Sequence, residues 1–152
     1  MESTKILEKV DIFRGLSPNQ FESLGEISED RKYRTGEVIF AEQSPGHEMY
    51  VVKTGKVCIE LGLKGKSDAA TVHRVGAGQV FGELSLVDRR KRSATAVCEH
   101  DCELVAINQE KLDELFKQDT QLGYLIMKNL AELLAGRLRR TNLQLVASIL
   151  WE

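Results

Sequence analysis

Between residues 31 and 108 glycine cuts the chain into short β-branched and aromatic runs, and this limits its fold more than any other feature. The runs are VIFA (38 to 41), MYVV (49 to 52), KVCIEL (56 to 61), ATVHRV (70 to 75), TAV (95 to 97) and ELVAI (103 to 107). Gly36, Gly46, Gly55, Gly65, Gly76 and Gly78 stand in the gaps. Parallel strands need crossovers of a dozen or more residues, usually helical, and these gaps leave no room for them. Short strands at fairly regular turn spacing instead predict a small barrel or two-sheet roll.

Helices flank this region. Residues 1–30 read as a helical lead-in: Ile6, Leu7 and Val10 can share a face, and Ser17-Pro18 is a helix-start signal ahead of Phe21 and Leu24. From residue 109 the apolar period changes from two to 3.6. Asn108 suits a cap, QEKLDELF a short helix, and Thr120 to Leu150 one long proline-free helix. The expected organisation is therefore a lead-in at 1–30, a β-roll at 31–108 and C-terminal helices at 109–152.

In the long helix Met127, Leu130, Leu134, Leu138 and Leu145 follow a three-four spacing, while Leu122, Ile126, Leu133 and Leu143 fall to other sides. One face can cover its own domain. The other needs a second surface, and another copy of the helix is the simplest supply. A helical hairpin or a further domain would serve equally. A homodimer is the reading taken.

Composition narrows the class. Hydrophobic residues at 42% and charged residues at 29% suit one globular domain. A net charge of -2 removes any bulk-charge argument for nucleic acid. No apolar run is long enough to cross a bilayer, and MESTKILEKVDIF lacks an apolar signal core. Three cysteines without framework spacing suit a reducing compartment, so a cytoplasmic protein is expected.

The chemistry concentrates in VFGELSLVDRRKRSATAV, residues 80 to 97. Gly82 permits a tight turn and close approach to the backbone. Glu83 sits among apolar neighbours and needs hydrogen-bond donors, which a sugar hydroxyl can supply. SLVD can make one helical turn whose first amides point at an anion. Arg92 offers a planar fork matched to phosphate oxygens, Ser93 adds a hydroxyl, and Ala94 keeps the wall small. Plainer readings use the same residues. Arg89, Arg90 and Lys91 suit a solvated loop, and Glu83 and Arg92 can pair with each other across a turn.

FGELSLVDRRKRSATAV closely resembles the phosphate-binding cassette of the cyclic-nucleotide-binding domain family, which has the pattern F-G-E-[L/I]-[A/S]-L, a short loop, then R-[A/S/T]-A-[T/S]. Phe81 to Leu86 match the first part and Arg92 to Thr95 the second. DIFRGLSPNQFESL and GEVIFAEQSPGHEMYVVKTGKVCIEL resemble the family's lead-in and early strands. The resemblance implies a mainly β fold with flanking helices, built on an eight-stranded β-roll. It also implies that Glu83 holds a ribose 2'-hydroxyl and that Arg92 and Ser93 hold the cyclic phosphate. Gly82, Leu84, Ser85 and Ala94 complete that wall. AGRLRRTNLQL further resembles the dimer helix of catabolite-activator-type members. There the position of Thr141 reaches the purine, and that of Asn142 reaches it from the partner subunit. The family usually has serine where Asn142 stands. The expected ligand is a cyclic nucleotide, cAMP rather than cGMP.

The chain stops at Glu152, and nothing in LQLVASILWE can supply a helix-turn-helix, so direct nucleic-acid binding by this chain is not expected. The apolar end at Leu150 and Trp151 suits a protein contact. Cys98, His100 and Cys102, with Cys58 elsewhere, do not make a convincing metal set, and His47 and His73 read as surface or support residues. No poised nucleophile or acid–base pair is visible, so no catalytic residue is assigned. The expectation is a non-catalytic cytoplasmic sensor without metal or further cofactor and without a membrane span. It is dimeric, has a downstream protein partner, and moves its C-terminal helix when ligand binds. Two alternatives stand: a ligand-free interaction module, and the sensor part of a DNA-binding regulator.

Overall fold

Helix starts are set by side chains that satisfy the first free amides. Ser17 accepts from the Gln20 amide while the Gln20 side chain accepts from the Ser17 amide, a capping box with Pro18 at the first helical position. This launches α2 (Pro18–Glu26), after α1 (Glu2–Leu7) and a 3-10 turn at Asp11–Phe13. Asn108 accepts from Lys111 and opens α4 (Gln109–Gln118). Asp119 accepts from the Leu122 amide and opens α5 (Thr120–Leu150). Those bonds, with one from the Gln20 amide group, hold the Asp119 carboxyl below the usual carboxylate range. The expected Asn108 cap, the Ser17-Pro18 start and the long helix are all observed.

The computed structural model describes residues 2–62, 69–88 and 90–151. The turn expected at Gly65 and the loop residue Arg89 lie outside the described residues. Six strands form one antiparallel sheet: β1 (Ser28–Tyr33), β2 (Val38–Phe40), β3 (Glu48–Gly62), β4 (Ala69–Val75), β5 (Val80–Phe81) and β6 (Thr95–Asn108). The path is β1-β6-β3-β4, with β2 also on β6 and β5 also on β3. A four-residue helix, α3 (Ser85–Asp88), lies between β5 and β6.

Eight strands were expected from the resemblance, and six are observed among the described residues. MYVV and KVCIEL are halves of one 15-residue strand, and TAV and ELVAI are ends of one 14-residue strand. Their pairing shifts register between Val52 and Val57, so the ribbon bends without breaking. Gly55 sits in the bend at φ +92, and a Cβ there would fall on the Asp101 carbonyl and 2.8 Å from Cys102 Cα. β1 escapes sequence reading because SEDRKY is a polar edge strand, and β5 because it is two residues long.

Period-two alternation divides the core. Met49 and Val51 pack with Leu7, Phe13, Ile126 and Leu130 under the helices. Tyr50 and Val52 face the opposite way, with Phe81, Cys98 and Leu104. The Cys98 and Cys102 thiols lie 3.0 Å apart, and both donate to the His100 backbone carbonyl. The C-x-H-x-C stretch thus uses His100 through its main chain, and no potential metal-holding cluster occurs among the described residues. No described helix is long and apolar enough to cross a membrane.

Helix α5 is anchored over its first half by Leu122, Ile126 and Leu130. Leu130 therefore shares a face with Leu122 and Ile126, which were expected on other sides. Asn129 reinforces the anchor by donating to the Ile12 and Arg14 carbonyls. Residues 138–151 are exposed throughout, with Leu138 at 61% and Trp151 at 90%.

Candidate functional site

Pairing of β5 with Tyr50 and Val51 of β3 brings the chain to Gly82 at φ +74. Glycine is needed at that left-handed position, where a Cβ would also lie 2.9 Å from Arg92 Nη1. The Ser85 hydroxyl closes the turn by donating to the Gly82 carbonyl. On the return, the Arg92 amide donates to the Ser44 carbonyl and the Gln43 amide to the Arg92 carbonyl, both at 2.8 Å. Gly46 lets this turn press against the guanidinium, since a Cβ would lie 3.2 Å from both Arg92 Nε and Ser85 Cβ.

Arg92 is only 6% exposed. Its guanidinium carbon lies 4.0 Å from the centroid of the Phe40 ring. Nη2 donates to the Glu48 carbonyl at 2.7 Å and Nη1 to the Gly82 carbonyl at 3.3 Å, while Nε has no hydrogen-bond partner. Burial pulls its pKa below the ordinary arginine range, against the pull of Tyr50, Glu48 and Glu83.

Glu83 is 4% exposed and accepts from Arg137 Nη1, which α5 supplies. The pairing of Glu83 with Arg92 that the sequence left open is not what the structure forms. Both side chains line one cavity of about 970 Å³. Of the residues expected at the site, Gly82, Glu83, Leu84, Ser85, Arg92, Ser93, Ala94 and Thr141 all line it. Asn142 does not, and is exposed on α5. Arg90 and Lys91 are solvated, as expected, yet also reach the cavity rim.

Sequence reading missed several contributors. Arg137 precedes Thr141 by four residues, one helical turn along the same face, and that spacing was the available signal. Phe40 and the Glu48 carbonyl had none. His73, read as a support residue, lines the cavity. Its pKa lies below the usual histidine value through burial and the cations Arg137 and Arg140, with Glu83 opposing. Together these groups offer a carboxylate for hydroxyl donors and a dry cationic wall for an anion.

The Cyclic nucleotide-binding domain family profile matches residues 30–119. The Cyclic AMP receptor protein of Thermus thermophilus is 36% identical over 134 residues, covering 88% of this chain and 60% of that protein. The crystal structure of the Thermus thermophilus Catabolite Activator Protein superposes with a TM-score of 0.78 at 36% identity, over 89% of this chain and 61% of that one. The N-terminal domain of a transcriptional regulator from Streptomyces coelicolor A3(2) gives a TM-score of 0.77 at 26% identity, over 92% and 94% of the two chains. The chain thus spans about three fifths of the curated relative's length.

Proposed function

The chain belongs to the cyclic nucleotide-binding domain family, and on that premise we propose that its cavity takes a 3',5'-cyclic nucleotide, cAMP in preference to cGMP, as the signal of a non-catalytic regulatory domain. Arg92 and Ser93 hold the cyclic phosphate, and Glu83 holds the ribose 2'-hydroxyl. Gly82, Leu84, Ser85 and Ala94 form the wall between them, and Thr141 meets the purine. The observation that carries this reading is a buried guanidinium whose Nε–H lacks a partner, on the same cavity wall as a buried carboxylate. A buried charge without a counter-ion is unfavourable, and backbone carbonyls compensate it only in part. A phosphate monoanion completes it.

Arg137 links this site to α5 through Glu83. A ligand hydroxyl on Glu83 competes with that contact, so ligand and helix position are coupled. Such coupling requires different ligand affinity for two helix arrangements. The exposed apolar face of α5 takes a second copy of the chain, which brings Asn142 of one subunit to the other's site. Counted as two arms each about their bends, β3 and β6 turn the six strands into the family's eight-stranded roll. Three free thiols suit a cytoplasmic setting.

Calorimetric titration with cAMP and cGMP tests the proposal. Saturable binding, tighter for cAMP, is expected. Absence of heat and of competition with a fluorescent analogue up to millimolar ligand overturns it.

A further inference from the structure

Behind the cavity wall, one buried side chain ties the Gly82–Arg92 segment to the C-terminal helices. Gln109, 5% exposed, donates from Nε2 to the Ser85 carbonyl at 2.5 Å, across 24 residues of sequence. Its backbone amide donates to the His47 carbonyl at 2.9 Å. Gln109 therefore joins three pieces. The first is the turn carrying Gly46, which packs on both Arg92 and Ser85. The second is α3, whose first residue is Ser85. The third is α4, whose first residue is Gln109 itself.

The connections run on in both directions. The Ser85 hydroxyl and Arg92 Nη1 both donate to the Gly82 carbonyl, so Ser85 and the guanidinium share one acceptor. Leu112 and Leu115 of α4 share a core cluster with Leu122 and Ile126 of α5, and Gly123 abuts the Phe116 ring. Helix α5 thus meets the cavity by two routes. One is direct, at Arg137 and Glu83. The other passes through Gln109 and α4. An apolar residue of similar size could fill the space at 109, but only a donor can satisfy the buried Ser85 carbonyl.

Resting on the cyclic-nucleotide reading, we propose that Gln109 is a positioning residue that makes α3 and α4 move as one body, so that occupancy of the cavity is transmitted to α5. It touches no ligand. Its effect is read mainly in the response of the helix; the affinity of the pocket changes only by the small free energy that the ligand no longer uses to shift that helix. A hydrogen bond between two buried groups that must shift together resists their separation, whereas a sliding apolar contact does not.

The test uses the full chain with cAMP as probe. Binding is measured by calorimetry, and the response by ligand-induced change in amide hydrogen exchange over residues 131–151, with fluorescence of Trp151, the sole tryptophan, as a second reporter. For Gln109→Met, affinity is expected to stay within about threefold of the parent while the helix response falls by about fivefold or more. Gln109→Glu separates transmission from stability. A buried carboxyl has a raised pKa, so it donates to Ser85 at about pH 5 and loses that proton at about pH 8. The response, compared with the parent at the same pH, should return at the lower pH and vanish at the higher. A purely structural role would lower the melting temperature in both variants and leave the response per bound ligand unchanged, which overturns the proposal. An affinity loss in proportion to the lost response also overturns it. If the parent chain binds no cyclic nucleotide, the functional reading itself fails and this inference falls with it. If the parent binds and responds but Gln109→Met responds equally, only this inference falls.

Discussion

At the scale of single residues, Arg92 shows how cost and use coincide. Its guanidinium is withdrawn from water, laid over Phe40, and given two carbonyls in place of a carboxylate. Charge-assisted hydrogen bonds to a phosphate contribute about 1.5 to 3 kcal/mol each. Arg92→Ala should therefore weaken cAMP binding by about a hundredfold or more. Its melting temperature should not fall with its affinity, because the variant also loses a buried, incompletely compensated charge. Calorimetry beside thermal unfolding checks both. His73 yields a second prediction. Its pKa in the fold lies below the ordinary value of 6.5, so the unfolded chain binds more protons just below that pH. The stability contributed by neutral His73 is full above 6.5 and is lost as pH falls toward the lowered value. His73→Gln should accordingly lose less melting temperature than the parent between about pH 7.5 and about pH 5.5.

At the scale of elements, bends and caps carry most of the information. The β3–β6 ribbon turns at Gly55, where positive φ and the nearby Asp101 carbonyl both exclude a side chain. Gly55→Ala should destabilise the fold by about 3 kcal/mol, from left-handed strain plus overpacking, measured by denaturant unfolding. At α2, Ser17→Ala removes the acceptor for the Gln20 amide and should cost about 1 kcal/mol by the same measurement. The starts of α2 and α4 were legible in sequence because their capping signals, Ser17-Pro18 and Asn108, are local; the Asp119 cap of α5 was not read. The union of MYVV with KVCIEL was not, because a glycine at a bend and a glycine at a strand end look alike until the partner strand is present.

At the scale of the whole molecule, the exposed surface is larger than a compact fold of this mass requires. A compact monomer of 17.1 kDa is expected to expose about 7,800 Å². This chain exposes 9615 Å². Where α5 leaves the body, Leu138, Leu145, Ile149 and Trp151 stand in solvent. This exposed apolar face is the one proposed to take a second copy of the chain. Light scattering should give a mass of two chains, and Leu138→Glu should return it to one. A monomeric parent would overturn the dimer.

What the sequence by itself determined is whatever depends on neighbours along the chain. The turn at Gly82, the caps of α2 and α4, the period change after Asn108 and the length of α5 all repeat short-range steric and hydrogen-bonding requirements that residue types record directly. Tertiary structure alone decided the rest. It chose Arg137 over Arg92 as the partner of Glu83, set Phe40 beneath the guanidinium, turned His73 toward the cavity and joined Gln109 to Ser85. The Arg137–Glu83, Phe40–Arg92 and Gln109–Ser85 contacts all join residues far apart in sequence, and which of several equivalent arginines or amides arrives is settled by how the bent sheet and the long helix bring distant backbones together.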